Sequence, residues 1–254
     1  MRTTRKQRYE AILNHYREKM PHVTTELEFG SVFQLLVATV LSAQCTDKRI
    51  NMVTPALFAH YPDARSMAQA TEDDLLGFIR SVSYPNTKAQ HLVALSKMLV
   101  EEYGGEVPQE MSQLVRLPGV GRKTANVVQA VGFGQSAIAV DTHVYRVSHR
   151  LGLVPPTANT PYKVEMELRR NIPAADRADA HHWLLLHGRY ICQSRKPRCE
   201  ECPFEQICPK KEIETIEAIE AIDTIETIDT IETIDTIENY SFYQKKALCK
   251  HNEY

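Results

Sequence analysis

One lysine lies in a setting that could make it a nucleophile. Lys123 follows two glycines, Gly119 and Gly121, at a turn between two stretches of helical periodicity. Glycine adopts positive φ and has no Cβ, so another backbone can approach such a turn closely. The first amides of the second helix have no partner within it and lie at its positive end, where a phosphate can bind. The same positive end should lower the pKa of Lys123, which favours the nucleophilic amine.

A Gly-x-Gly turn alone is weak evidence, because such turns are common between helices. The full stretch from Leu117 to Val128 is more specific, with the sequence LPGVGRKTANVV. Eighteen residues after Lys123 comes VDTH, in which Asp141 is a suitable helix N-cap. Together the two segments resemble the helix-hairpin-helix DNA glycosylases of the endonuclease III branch. The resemblance implies that Lys123 is the nucleophile and Asp141 the catalytic aspartate. It also implies DNA contacts from the hairpin residues Leu117, Gly119, Val120, Gly121 and Arg122.

The sequence predicts an all-α fold, because helical periodicity dominates and no strand alternation is convincing. Predicted helices span residues 5–19, 31–43, 46–60, 72–80, 86–102, 109–116, 121–133, 142–151, 161–170 and 175–190. Pro55 predicts a kink in the third segment or its division into two helices.

The resemblance implies a two-lobed helix-hairpin-helix glycosylase fold with a C-terminal iron–sulfur loop. Residues 26–135 would form a six-helix lobe that contains the hairpin. Residues 1–25 and 136–211 would form the second helical lobe, which contains the cluster. Lys123 and Asp141 would meet in the cleft between the lobes.

Two loops have both a structural and a functional interpretation. The apolar segment 33–44 predicts a buried helix that ends in a polar tip, where Gln44 could simply be a loop amide and Cys45 a small buried hydrophobe. Residues 81–89 predict a turn between helices. The resemblance implies instead that Gln44 enters the DNA where the damaged base was and that Tyr84 forms a wedge in the base stack. The family wedge is often leucine or phenylalanine, so Tyr84-Pro85 departs from the common pattern.

Four cysteines follow the last predicted helix with the spacing Cys-x6-Cys-x2-Cys-x5-Cys: Cys192, Cys199, Cys202 and Cys208. Disulfides are not expected in an intracellular protein, and four thiolates within 17 residues can bind one metal centre. Zinc and iron–sulfur clusters both accept four cysteines. The resemblance implies one 4Fe-4S cluster.

The segment between the first two cysteines contains three cations, Arg195, Lys196 and Arg198. They predict a phosphate-binding surface, with a solvated loop as the alternative. His143, His181, His182 and His187 lie in segments typical of packed helices, so no metal site is assigned to them.

The composition is that of an ordinary globular protein, with 254 residues, 43% of them hydrophobic and 24% charged. No apolar run reaches the roughly 18 residues that a membrane span needs. The basic N-terminus lacks the apolar core of a signal peptide, so we expect an intracellular protein. Together with the resemblance, the lack of a signal peptide predicts a bacterial protein that is cytoplasmic and associated with the nucleoid.

The charge is divided unevenly along the chain. Residues 1–211 hold 27 basic and 21 acidic residues, whereas residues 212–254 hold 3 basic and 11 acidic ones. The body therefore suits a polyanionic partner. In the acidic tail isoleucine recurs every third residue from Ile213 to Ile237, a period that matches neither helix nor strand, so the tail is interpreted as low-complexity sequence without a catalytic part.

The resemblance implies base-excision repair by a monomer on double-stranded DNA that contains damaged pyrimidines or abasic sites. The enzyme would remove oxidised or ring-saturated pyrimidines through a lysine Schiff base and would cleave the strand by β-elimination. One alternative is an adenine-mismatch glycosylase, which typically has serine where Lys123 stands and an additional C-terminal domain. The other is a non-catalytic helix-hairpin-helix DNA-binding module, which would not require both Lys123 and Asp141.

Overall fold

The computed structural model describes residues 3–21 and 23–209. Within these ranges every regular element is a helix, which confirms the predicted all-α fold. The predictions for the acidic tail concern residues outside the described part of the chain.

The α-helices of the described residues are α1 (Arg5–Lys19), α2 (Val32–Leu41), α3 (Asp47–His60), α4 (Ala64–Met67), α5 (Glu72–Ile79), α6 (Pro85–Tyr103), α7 (Met111–Leu114), α8 (Arg122–Val127), α9 (Thr142–Arg150), α10 (Pro161–Asn171) and α11 (Arg177–Tyr190). A π-helical segment (Val128–Gly132) continues α8, and 3-10 turns lie at Ala174–Asp176 and Cys199–Glu201.

Side-chain caps explain several helix starts. The Thr71 hydroxyl accepts the Asp74 amide and the Asp74 carboxylate accepts the Thr71 amide, which forms a capping box at the start of α5. Thr46 caps α3, and Thr160 caps α10 directly before Pro161 at the first helical position. Local sequence therefore determines where these helices begin.

Three helices differ from the prediction. Helix α3 runs without a break through Pro55, so its division into two helices is wrong; its buried residues Ile50 and Leu57 offset the loss of one backbone hydrogen bond. The predicted helix 109–116 is only one turn, α7. The predicted helix 121–133 changes from α to π at Val128, which the spacing of apolar residues does not reveal.

The apolar side chains form two separate cores. The first joins α2 to α8 and includes Leu36, Leu95 and Leu117. The second joins α1 to α9, α10 and α11, with Trp183 among its buried residues. This division follows the line of the two predicted lobes, whose boundaries remain predictions. None of the helices in the described residues combines the length and apolarity needed to cross a membrane.

Candidate active site

Two helix starts bring the candidate nucleophile and carboxylate together. Lys123 lies in the first turn of α8, and its side chain is half-buried. Asp141 is the N-cap of α9, where its Oδ1 accepts the Val144 amide at 2.7 Å. The Asp141 residue is only 7% exposed, so its carboxylate is shielded from solvent. A cap in this position fixes the carboxylate as well as the helix.

Electrostatic attraction keeps the buried Asp141 ionised. Burial by itself would raise the pKa of this carboxyl, but Lys123, His181 and His143, together with the Val144 amide, lower it below the ordinary value. The site thus holds an ionised carboxylate that interacts electrostatically with the lysine in the first turn of α8.

The buried His181 is neutral at physiological pH. Burial and the neighbouring His182 lower the pKa of His181 to about 4. Its Nδ1 lies 2.9 Å from the carbonyl oxygen of Ala139, which can only accept, so Nδ1 carries the proton. This hydrogen bond fixes the imidazole against the segment that directly precedes Asp141.

The hairpin helix is joined to the second core by a bidentate ion pair. Arg122 donates from Nε and Nη2 to the two carboxylate oxygens of Glu165 on α10, at 2.7 and 2.8 Å. Asn126, one turn further along α8, donates to the same carboxylate at 3.1 Å, and Arg169 lies 3.4 Å from it. Glu165 is only 2% exposed. The guanidinium of Arg122 also lies over the ring of Tyr162, 4.7 Å from its centre. Arg122 is predicted to contact DNA, but its side chain already has two partners in the protein, Glu165 and Tyr162.

The hairpin turn contains two glycines with different constraints. Gly119 has a φ of +77°, and a Cβ on it would lie 3.0 Å from His91. Gly121 has ordinary backbone angles, and a Cβ on it would meet nothing within 4 Å. Leu117 and Val120 are buried in the first core, so any contact they make to DNA is through the backbone. The Val120 amide already donates to the Leu117 carbonyl at 3.0 Å.

Gln44 and Tyr84 share an unusual backbone conformation. Their φ values are 53° and 52°, and they are the two non-glycine residues with positive φ in the described chain. Gln44 is exposed at the tip beyond α2, and Tyr84 is 53% exposed directly before α6. Cys45 is partly buried against the first core, in agreement with its structural interpretation.

The four cysteines lie beside the second core with half-buried side chains and form no disulfide: Cys192, Cys199, Cys202 and Cys208. Burial raises the pKa of Cys202, and its three partner cysteines are close enough to raise it further. The loop that bears the first of them is held from α9, where Arg150 donates to the Gln193 and Ser194 carbonyls at 2.6 and 2.8 Å.

The three cations of the loop, Arg195, Lys196 and Arg198, are exposed. Arg198 forms an ion pair with Glu201 at 3.5 Å, which is weak because both side chains are more than half exposed. The loop predicted to contact DNA therefore remains accessible in the fold, whereas the hairpin has Gly121 and Arg122 half-buried and its other predicted contact residues buried.

Three polar residues near the site were not found from the sequence. Glu165 and His181 have no local motif, and their partners are distant in the chain, 43 residues away in the case of Arg122. Arg146 on α9 donates to the Gly188 and Cys192 carbonyls, again far along the chain. The sequence offered no local signal for them, because their hydrogen-bond partners lie 39 to 46 residues away in the chain.

Known proteins share both the sequence and this fold. Residues 37–174 match the family described as HhH-GPD superfamily base excision DNA repair protein. Over 201 residues the chain is 43% identical to endonuclease III of Escherichia coli (strain K12), an alignment that covers 79% of this chain and 94% of the relative. The chain belongs to the endonuclease III family. Endonuclease III of Bacillus subtilis (strain 168) is 45% identical over 199 residues, with 78% of this chain and 90% of the relative covered.

A solved endonuclease III structure, described as a trapped covalent intermediate with DNA in an estranged-adenine complex, has the same fold. Its TM-score is 0.77 at 41% identity, and the match covers 83% of this chain and 97% of that one. The resemblance to the endonuclease III branch, stated from the hairpin and the VDTH segment, is thus confirmed.

Proposed function

We propose that this protein removes oxidised or ring-saturated pyrimidines from duplex DNA and then cleaves the strand at the abasic site. The observation that carries the proposal is the meeting of Lys123, at the start of α8, with the buried and ionised Asp141, at the start of α9. The relatives are endonuclease III proteins, and one solved relative is a trapped covalent intermediate with DNA, which supports a covalent mechanism.

The reaction begins with extrusion of the damaged nucleotide, because the anomeric carbon is inaccessible within the base stack. Gln44 would fill the space that the base leaves, and Tyr84 would separate the neighbouring bases. Both are exposed at loop tips, which supports these roles.

The neutral amine of Lys123 then attacks the anomeric carbon, and the bond to the base breaks. The base leaves with the bonding electron pair and takes up a proton. Opening of the sugar ring gives a protonated imine between the lysine nitrogen and the sugar. The imine acidifies the adjacent C2′ proton, whose loss expels the phosphate on the 3′ side and breaks the strand.

Asp141 would accept the proton that Lys123 loses and would stabilise the positive charge that develops on the sugar. Its low pKa keeps it charged at neutral pH.

The hairpin would bind the DNA backbone. Helix α8 begins without a side-chain cap, so its first amides point outward at the positive helix end. The open space around Gly121 allows a phosphate to come close to these amides. Such contacts fix position without reading the sequence.

Cys192, Cys199, Cys202 and Cys208 would hold the 4Fe-4S cluster implied by the family. Within the described residues, no three His, Cys, Asp or Glu side chains are arranged to hold a single metal ion. Four thiolates are the ligand set that an iron–sulfur cluster takes, and membership of the endonuclease III family favours the cluster over zinc. When bound, the cluster supplies a crosslink that keeps the loop of Arg195, Lys196 and Arg198 in place against DNA.

Borohydride trapping on abasic DNA tests the reaction. The wild-type protein should become covalently attached to DNA when the imine is reduced. Lys123→Ala and Lys123→Gln should give no adduct, no base release and no strand cleavage, while binding to damaged DNA persists. An undiminished adduct in Lys123→Ala would show that another amine is the nucleophile, and a wild type that binds DNA without any adduct would favour the non-catalytic module.

Iron analysis tests the cofactor. Protein purified without oxygen should contain about four irons and four acid-labile sulfides per chain, in keeping with four cysteine ligands. Cys199→Ser should lower the iron content and the DNA affinity together, whereas Cys45→Ser should leave the iron unchanged. One zinc and no iron per chain would refute the cluster.

A further inference from the structure

The two loops that would enter the DNA are joined to each other inside the protein. Ser83, directly before Tyr84, donates from its hydroxyl to the Gln44 carbonyl at 2.8 Å. Lys88, one turn into α6, donates from its ammonium to the Leu41 carbonyl at 2.9 Å and to the Ala43 carbonyl at 2.6 Å. The start of α6 therefore holds three carbonyls at the end of α2 and along the tip that follows it.

Burying the Lys88 ammonium at this position costs free energy. It is only 6% exposed, and burial lowers the pKa of Lys88 to about 8. It remains an ammonium at neutral pH, and a charge out of water must be compensated by hydrogen bonds. A cation at the C-terminus of α2 also complements the helix dipole. Capping alone would need only the bond to Leu41; the bond to Ala43 lies beyond the helix, next to Gln44.

The joined loops are also the strained part of the described chain. Gln44 and Tyr84 hold positive φ without being glycine, which persists only where the surrounding structure imposes it. Two of the hydrogen bonds end at Gln44 itself and at the adjacent Ala43, and the donor of the first, Ser83, directly precedes Tyr84. Glycine at either position would relieve the strain but would remove the side chain that points to solvent.

We propose that Lys88 and Ser83 are positioning residues that fix Gln44 and Tyr84 as one preformed two-pronged unit for opening the base stack. The inference rests on the proposed function, because it assigns the unit to the step before base release. A preformed unit loses little conformational freedom when it enters DNA, so the binding free energy is available to extrude the damaged nucleotide.

The test compares two substrates under single-turnover conditions. One duplex contains a ring-saturated pyrimidine, which must be extruded with its base; the other contains an abasic site, which has no base to extrude. Lys88→Met should slow base release from the first duplex about 10- to 100-fold, the loss expected when a positioned group is displaced. Cleavage at the abasic site should fall far less. Lys88→Arg should restore most of the rate, since a guanidinium can reach the same carbonyls.

Matched variants separate positioning from folding. Lys97→Met removes an exposed lysine from the same helix and should change neither rate. Ser83→Ala removes only the bond to the Gln44 carbonyl and should lower base release in the same selective way if Lys88→Met fails to fold. Ser81→Ala, an exposed serine two residues earlier, is its control.

A double-mutant cycle gives the decisive outcome. If Lys88 acts through the two prongs, Lys88→Met should have no further effect on base release in a Gln44→Ala, Tyr84→Ala background. A fluorescent base analogue beside the lesion should report less unstacking in Lys88→Met than in wild type. Additive losses, or equal losses on both substrates, would overturn the inference. Failure of the proposed function would differ, because wild type itself would then give no adduct on abasic DNA.

Discussion

At the scale of single residues, the proposed chemistry depends on the charge of Asp141, whereas the cap of α9 depends on its Oδ1 oxygen. We predict that Asp141→Asn keeps the cap of α9, because an asparagine oxygen can accept the Val144 amide as the carboxylate does. Base release should nevertheless fall by about 10²- to 10⁴-fold, since the negative charge that assists Lys123 is gone. Single-turnover rates and thermal melting measure the two effects. A variant that releases base at the wild-type rate would contradict the role of Asp141.

The two hairpin glycines should respond differently to valine. Gly119→Val places a side chain at a φ of +77° and against His91, so it should cost about 1–2 kcal/mol of stability or more. Gly121→Val meets open space, so stability should hold while binding to damaged and undamaged duplexes weakens alike. Urea unfolding and a binding titration on undamaged duplex separate the two variants. Unchanged binding by Gly121→Val would show that the hairpin is not the DNA anchor.

The sequence located the residues that belong to a local motif and missed those that depend on distant partners. The places of Lys123 and Asp141 at helix starts could be predicted because each belongs to a recognisable segment, and their catalytic roles stay predictions. Lys88 could not, because its two carbonyl partners lie 47 and 45 residues away in the chain, beyond three intervening helices. Gln44 and Tyr84 were assigned to loop tips, but their shared positive φ became visible only in the fold.

At the scale of helices, Arg122 and Glu165 connect α8 to α10. We predict that Arg122→Met destabilises the protein by about 2–3 kcal/mol, because it leaves the nearly inaccessible Glu165 carboxylate without its bidentate partner. It should also slow strand cleavage, since α8 bears Lys123 and α9 lies on the other core. Denaturant unfolding and borohydride trapping measure these effects.

The paired replacement tests whether that loss comes from the unpaired charge. Arg122→Met with Glu165→Met removes both partners, so much of the stability should return. If the double variant is as unstable as the sum of the two single ones, the ion pair is not the connection between the helices.

Helix positions could be predicted well where caps and apolar periodicity agree, as at Thr71 and Thr160. The errors occur where tertiary packing decides. Helix α3 passes through Pro55 because its buried face stabilises it, and the segment after Val127 widens to a π-helix that brings Gly132 close to Val32 on α2. Neither the continuous helix α3 nor the π-helical segment can be predicted from the helix propensities of the local residues.

At the scale of the whole molecule, helix α9 connects Asp141 to the cysteine loop. It begins at Asp141, and further along Arg146 and Arg150 donate to carbonyls of that loop. The stability of the second core therefore affects the position of Asp141. A buried group of that core that titrates in mild acid should make the stability of the core measurable as a function of pH.

His181 is that group, and it should make stability fall in mild acid. The pKa of His181 is about 4 in the folded protein, compared with about 6.5 for an unfolded histidine. Between these pH values the unfolded chain binds more protons, so the free energy of unfolding should decrease as pH falls from about 6.5 to about 4, by up to about 3 kcal/mol from this residue. Asp141, whose pKa is lowered, should destabilise only below the ordinary aspartate range, about pH 4, so the two effects occupy separate pH windows.

The matched control is His181→Asn, whose amide can donate to the Ala139 carbonyl in place of Nδ1 but does not titrate. Urea unfolding of both proteins between pH 7 and pH 4 compares their slopes, which cancels the carboxylates common to both. The wild type should lose more stability than the variant over this range, and the difference should vanish above about pH 7, where histidine is neutral in both states. Equal slopes would mean that the imidazole gains a proton without unfolding the core. Asp141 would then have a positive neighbour in mild acid, and base release by the folded enzyme would change with pH instead of its stability.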